Sequence, residues 1–154
     1  MKNEIYSYDI EELKKLLLAL IKQNLEQANY FWLEEKSGIV SSENNSSQLN
    51  LSFVAIPRKT GKQIITLTPV QKEHVNSILP GFSVNNWPLH RLCRIWILLH
   101  VNAGEKDKYY NKIDSRFKNA EMNELAELYA ALALFAYREG WAKRCAEGMR
   151  SNMV

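Results

Sequence analysis

Three cations, Arg58, Lys59 and Lys62, fall within five residues in the stretch PRKTGK, directly after the apolar run from Leu51 to Ile56. A guanidinium beside two ammonium groups can grip an anion: arginine offers a planar fork of donors, and the lysines add point charges. A phosphate-binding P-loop is a different device, G-x-x-x-x-G-K-[ST], whose first glycine lets backbone N–H groups wrap the phosphate. Here Gln63 follows Gly61-Lys62, and Ile56 stands where that first glycine belongs, so the motif fails. What remains is either a simple anion- or partner-binding site or a solvated basic turn, the ordinary fate of charge runs.

Arg91 and Arg94 pose a second question. They lie three apart, on neighbouring positions of one helical face, in the otherwise apolar stretch LHRLCRIWILLHV. Arginine in such surroundings is costly unless paired. Either Glu121, Glu124 or Glu127 of a later helix satisfies the pair, or Arg91 and Arg94 join Arg58 and Lys62 at the wall of an anion pocket.

Other chemistry is poorly supported. His74, His90 and His100 make no H-x-x-x-H or Cys–His pairing at a common metal spacing, and each reads as a structural or surface histidine. Glu73 and His74 are sequence neighbours and diverge around a helix, which weakens them as an acid–base pair. No G-x-S-x-G and no cysteine placed for activation occur. The sequence implies no metal, no other cofactor and no catalytic residue. Trp32, Trp87, Trp96 and Trp141 read mainly as core residues, although a few could line a cavity between helices.

The elements that must position these residues are helical. Asp9 and Glu12 have capping-box spacing before the stripe Ile10, Leu13, Leu17 and Leu20, which predicts a helix over about residues 10–23. A second helix is expected in LEQANYFWLEEKSG, with Leu25, Ala28 and Trp32 on one face and Gly38 at its end. The polar stretch 41–48, SSENNSSQ, reads as an exposed loop and the best candidate for a mobile segment. Its N-x-S triplets are chance matches without a secretory signal. Residues 49–56 fit a strand or a helix face, and Pro57 closes the element in either case. Thr68-Pro69 starts a helix that Pro80-Gly81 stops. Pro88 opens the apolar helix bearing Arg91 and Arg94, which should be central. EKDKYYNKIDSRFKN reads as a charged surface helix ended by Asn119, EMNELAELYAALALFAY as a core helix, and REGWAKRCAEGMRSNMV as a last helical piece.

Together these predict one all-α domain over residues 1–154, seven or eight helices of about 10 to 17 residues packed as successive antiparallel hairpins. No period is strict enough for a repeat protein. A chain of 154 residues with 46% hydrophobic and 24% charged residues has the makings of one ordinary globular core. Its longest apolar run, Leu128 to Tyr137, falls short of the roughly 18 to 20 residues that span a bilayer. The N-terminus lacks the order of a secretory signal, so the cytoplasm is the expected compartment. Cys93 and Cys145 make no disulfide framework and read as buried thiols. The net charge is +3, yet between Asn44 and Gly104 six cations face the single acid Glu73, a local +5. Such an excess attracts anions, but a pI of 8.8 lies below the level of about 9 typical of nucleic-acid binders.

The order of motifs has a likeness. PRKTGK, the Thr68-Pro69 helix, PGFSVNNWPLHRLCRIWILLHV, FKNAEMNELAELYAALALF and AEGMRSNM together resemble the EboA family, helical proteins of bacterial gene clusters associated with export of secondary-metabolite precursors. The likeness is strongest over residues 51–154. It rests on Pro57, Arg58, Gly61 and Lys62, on Gly81, Trp87 and Arg94, and on Ala146, Glu147, Gly148, Arg150 and Asn152. Members of that family continue past this last element into further helices, which this chain, ending at Val154, is expected to lack. The family has no established reaction, so the resemblance implies metabolite traffic or precursor handling without a mechanism. The preferred reading is a non-catalytic binding or adaptor protein that holds a protein partner or an anionic metabolite on Arg58, Lys59, Lys62, Arg91 and Arg94. Its rivals are an enzyme acting on a phosphorylated or prenylated intermediate, with Glu73, His74 or His90 as acid or base, and a structural oligomer subunit.

Overall fold

Asp9 starts the first helix as its spacing predicts, its carboxylate accepting the Glu12 N–H at 3.1 Å; α1 then runs Ile10–Asn24 and buries Ile10, Leu13, Leu17, Leu20 and Ile21. The structure, a computed structural model, describes residues 5–141, 143 and 144. Among them follow α2 (Gln27–Ser42), α3 (Ser47–Thr60), α4 (Pro69–Ile78), α5 (Leu89–Leu98), α6 (Lys106–Lys118) and α7 (Met122–Ala130), then two short 3-10 turns, Leu132–Leu134 and Arg138–Trp141. The all-α expectation of seven to eight helices holds, and a single hydrophobic core joins them. Cys145, expected to be a buried thiol, and the late AEGMRSNM motif lie outside the described residues.

Three local expectations are corrected. Gly38 lies inside α2, whose buried stripe is Tyr30, Leu33, Ser37 and Val40 rather than Leu25, Ala28 and Trp32. The loop expected over 41–48 shrinks to residues 43–46, because Glu43 caps the next helix. Its two carboxylate oxygens accept the Gln48 and Leu49 N–H groups at 3.0 Å each, satisfying donors that α3 would otherwise leave open. Residues 49–56 are helical, and Pro57 does not end the element: α3 continues through it to Thr60. Gly61, at φ 92°, then turns the chain out of the helix while its N–H closes on the Pro57 carbonyl at 3.1 Å.

Beyond Gly61 the backbone is extended and lies against the residues that precede α5. Ile65 N–H donates to the Trp87 carbonyl and Asn86 N–H to the Ile65 carbonyl, both at 2.8 Å. Leu89 and His90 donate their N–H groups to the carbonyls of Gln63 and Gly61, at 2.8 and 3.2 Å. Pro88 precedes α5 without a side-chain cap, so these carbonyls of the PRKTGK turn and its neighbour cap the helix instead. The basic turn thereby fixes where α5 begins.

As expected, α5 is central: it packs on α1, α2, α3 and α7, and every residue from Leu92 to Leu99 is buried. The helix α6 departs from its surface reading, because Tyr109, Lys112, Ile113, Arg116 and Phe117 are buried along one side. The alanine- and leucine-rich run is not one long helix either. It leaves the α conformation after Ala130 because side chains replace its helical hydrogen bonds. Tyr8 Oη donates to the Leu134 carbonyl at 2.7 Å, Ala136 N–H donates to Tyr109 Oη at 3.0 Å, and Trp141 Nε1 donates to the Ala136 carbonyl at 2.9 Å. This arrangement buries Leu134, Phe135 and Ala136 in succession, which one face of a helix cannot do.

Candidate functional site

The structure divides the sequence-predicted cations into two sets. Arg58, Lys59 and Lys62 are exposed around the C-terminal end of α3, where cations complement the helix dipole. Between them Thr60 turns inward, its hydroxyl donating to the Ile56 carbonyl at 2.9 Å. Lys59 Nζ lies 5.6 Å from the centre of the Trp32 ring, a distance suited to cation–π attraction. Residues Leu51, Val54 and Arg58 follow helical spacing along the outer side of α3, and the first two are 64% and 56% exposed.

Arg94 belongs to the other set. It is 2% exposed, and its guanidinium reaches three acceptors: Nε donates to the Phe53 carbonyl at 2.8 Å, Nη1 to Glu127 Oε1 at 2.6 Å and Nη2 to Glu124 Oε2 at 3.3 Å. The first of these contacts explains why α3 tolerates Pro57. In a regular helix the Phe53 carbonyl would accept from the N–H of residue 57, which proline lacks. Arg94 supplies a donor in its place.

Glu124 links this arginine to another. Its second oxygen, Oε1, lies 3.4 Å from Arg116 Nη2 and also accepts the Glu121 N–H at 3.0 Å. Arg116, 1% exposed, additionally donates to the carbonyls of Asn50 and Asn119, at 3.2 and 3.1 Å. The two guanidinium carbons lie 4.6 and 4.7 Å from the centre of the Phe53 ring. Two arginines and two glutamates thus tie α3, α5, α6 and α7 together in the interior. Apart from Arg116 Nε and Glu127 Oε2, the guanidinium and carboxylate atoms of this lattice have hydrogen-bond partners, the condition under which buried charge is tolerable. Arg116 was hidden by the surface reading of α6, yet Tyr109, Ile113, Arg116 and Phe117 sit at helical spacing, the one signal that could have exposed it.

At the edge of the lattice, Glu127 Oε2 faces His90 Nδ1 at 3.1 Å and Arg91 Nε at 3.5 Å. These are ion-pair distances without hydrogen-bond alignment, so neither contact satisfies Oε2 directionally. Burial lowers the His90 pKa; Glu127 opposes the shift, and Arg94 and Arg91 add to it. Arg91 also lies 5.6 Å from the Trp87 ring centre. His74, exposed on α4, pairs with Glu12 at 3.1 Å. Among the described residues no group of three His, Cys, Asp or Glu side chains is placed to hold a metal ion, and no helix is long and apolar enough to cross a membrane.

The geometry therefore joins Arg91 and Arg94 to glutamates and leaves Arg58, Lys59 and Lys62 at the surface. Fold and site together define an all-helical protein with one core, closed by a buried arginine–glutamate lattice and carrying a basic turn on its outside. A family model described as metabolite traffic protein EboA matches residues 13–154. The chain belongs to the EboA family. No curated protein and no solved structure matches it.

Proposed function

We propose that this protein is a non-catalytic adaptor of metabolite traffic, which docks an acidic protein partner on the outer face and C-terminal end of α3. The description of its family, metabolite traffic protein, supports the traffic part of this reading. The observation that carries the docking reading is the run Leu51, Val54 and Arg58, continued by Lys59 and Lys62. Exposed apolar side chains lead into exposed cations on one helix, a surface complementary to an apolar patch rimmed by acids. A non-catalytic role fits the engagement of the two histidines among the acid–base candidates: His74 pairs with Glu12, and His90 faces a glutamate flanked by two arginines.

The test is calorimetric titration against the proteins encoded by the genes neighbouring its own. The double variant Arg58→Glu/Lys62→Glu should weaken binding by about tenfold or more, equivalent to roughly 1.4 kcal/mol. Its melting temperature should fall by no more than about 2–4 °C, because both side chains are exposed and only the helix-dipole contribution at the end of α3 is reversed. Equal affinity in wild type and variant, or a loss that follows a larger drop in melting temperature, overturns the docking site. Turnover of a phosphorylated or prenylated metabolite that disappears in His90→Ala overturns the non-catalytic reading.

A further inference from the structure

A cleft that shares no residue with the α3 surface lies between the segment before α1, the first turn of α6 and residues 137–140. Its volume of about 700 Å³ falls within the range of small-molecule sites. Tyr6, Tyr110 and Tyr137 line it, together with Lys106, Arg138 and Glu139. The Lys106 ammonium stands 5.9 Å from the Tyr110 ring centre and 5.6 Å from that of Tyr137. Among the described residues, neither Lys106 nor Arg138 has a carboxylate partner, in contrast to the neutralised arginines of the interior.

The two aromatic walls are held by specific backbone contacts. Tyr137 adopts φ 55°, a conformation costly for a side-chain-bearing residue. Its N–H donates to the Ile5 carbonyl at 2.8 Å and its hydroxyl to the Ala103 carbonyl. The Tyr110 hydroxyl donates to the Tyr137 carbonyl at 3.1 Å. It lies so close to the chain that a Cβ on Gly140 would stand 1.6 Å from its oxygen. Glycine at 140 is what lets Tyr110 take this place. The two rings pack 5.9 Å apart, and both remain partly exposed in the cleft, where they offer a ligand aromatic surface beside two rim cations.

We propose that this cleft binds a small aromatic anion, its ring against Tyr110 and Tyr137 and its carboxylate or sulfonate on Lys106 and Arg138. Aromatic stacking and cation contacts supply the affinity. Glu139 on the same wall repels a second anionic group and can accept a hydrogen bond from a ligand hydroxyl. The site is independent of the α3 docking surface, and the variants separate the two.

The experiment uses 8-anilinonaphthalene-1-sulfonate as a fluorescent probe and 2-naphthoate as its competitor. The wild type should show saturable, one-to-one enhancement that 2-naphthoate displaces. Lys106→Glu should weaken it by about tenfold or more, and Gly140→Ala should weaken it by driving Tyr110 from its place. Arg58→Glu/Lys62→Glu should leave it unchanged. The proposal is overturned by the absence of saturable binding, or by wild-type affinity in Lys106→Glu, a surface change that leaves the core intact. Wild-type affinity in a Gly140→Ala protein with an unaltered far-UV spectrum also overturns it.

Discussion

Replacing Arg94 by methionine removes the centre of the buried lattice and tests whether Pro57 and Arg94 depend on each other. The substitution keeps an apolar stem of similar length but leaves Glu124 and Glu127 without their shared cation and the Phe53 carbonyl without its donor. Breaking a buried ion pair by removing one partner costs about 3–5 kcal/mol. Against a total of roughly 5–15 kcal/mol for a domain, the loss is severe. At about 2–4 °C per kcal/mol for a chain of this size, it should lower the melting temperature by roughly 6–20 °C. A second change isolates the carbonyl. Pro57→Ala restores an N–H that can reach the Phe53 oxygen; with Arg94 present that oxygen is already bonded, whereas with methionine at 94 it is not. Pro57→Ala should therefore stabilise the Arg94→Met protein by on the order of 1 kcal/mol more than it stabilises the wild type. Urea unfolding of the four proteins, followed by far-UV circular dichroism, gives the cycle. Additivity to within about 0.3–0.5 kcal/mol would refute the coupling, and a melting temperature unchanged by Arg94→Met would refute the structural role of the lattice.

Burial holds the His90 and His100 pKa values below the ordinary 6.5, with Glu127 opposing the shift at His90 and the Trp96 carbonyl opposing it at His100; Arg91 and Arg94 near the first, and Lys14 near the second, reinforce it. The unfolded chain therefore binds these protons more readily, so stability should fall as pH drops from about 7.5 to about 5.5. His100→Asn, whose amide can keep the contact that Nδ1 makes with the Trp96 carbonyl at 2.9 Å, should reduce that fall; urea midpoints that are flat or rising across the range contradict the assignment. Burial also pushes the Cys93 thiol up to about 12, so in a Cys145→Ser background it should react with Ellman's reagent only as the protein unfolds. Prompt labelling of the native protein would show the thiol to be accessible.

Much of the helical fold is readable along the chain because its signals are local. Asp9 and Thr68 each accept the N–H three residues on, and Pro80-Gly81 and Asn119 stand just past the helices they close. The central place of α5 follows from apolar residues around most of its circumference. Two of the failures share one cause: a partner distant in sequence bonds the backbone in a way that local rules do not count. Pro57 reads as a terminator because its own helix cannot satisfy Phe53, and Arg94, 41 residues away, does so. The run after Ala130 reads as helix by propensity, but Tyr8, Tyr109 and Trp141 bind its backbone in another form.

The candidate site shows the same division. Residue types and spacing alone determined that the stretch from Asn44 to Gly104 is basic, that Arg91 and Arg94 share a helix face, and that glutamates of the later helix were available to them. Those are properties of neighbours in sequence. Only the tertiary structure decided which cations are neutralised and which meet water, since burial and pairing depend on contacts between α3, α5, α6 and α7. It placed Arg94 and Arg116 on either oxygen of Glu124, left Arg58, Lys59 and Lys62 exposed, and brought Lys106 to the rings of Tyr110 and Tyr137. Charge is written in the sequence, but the environment that makes a charge structural or available is created when the helices pack.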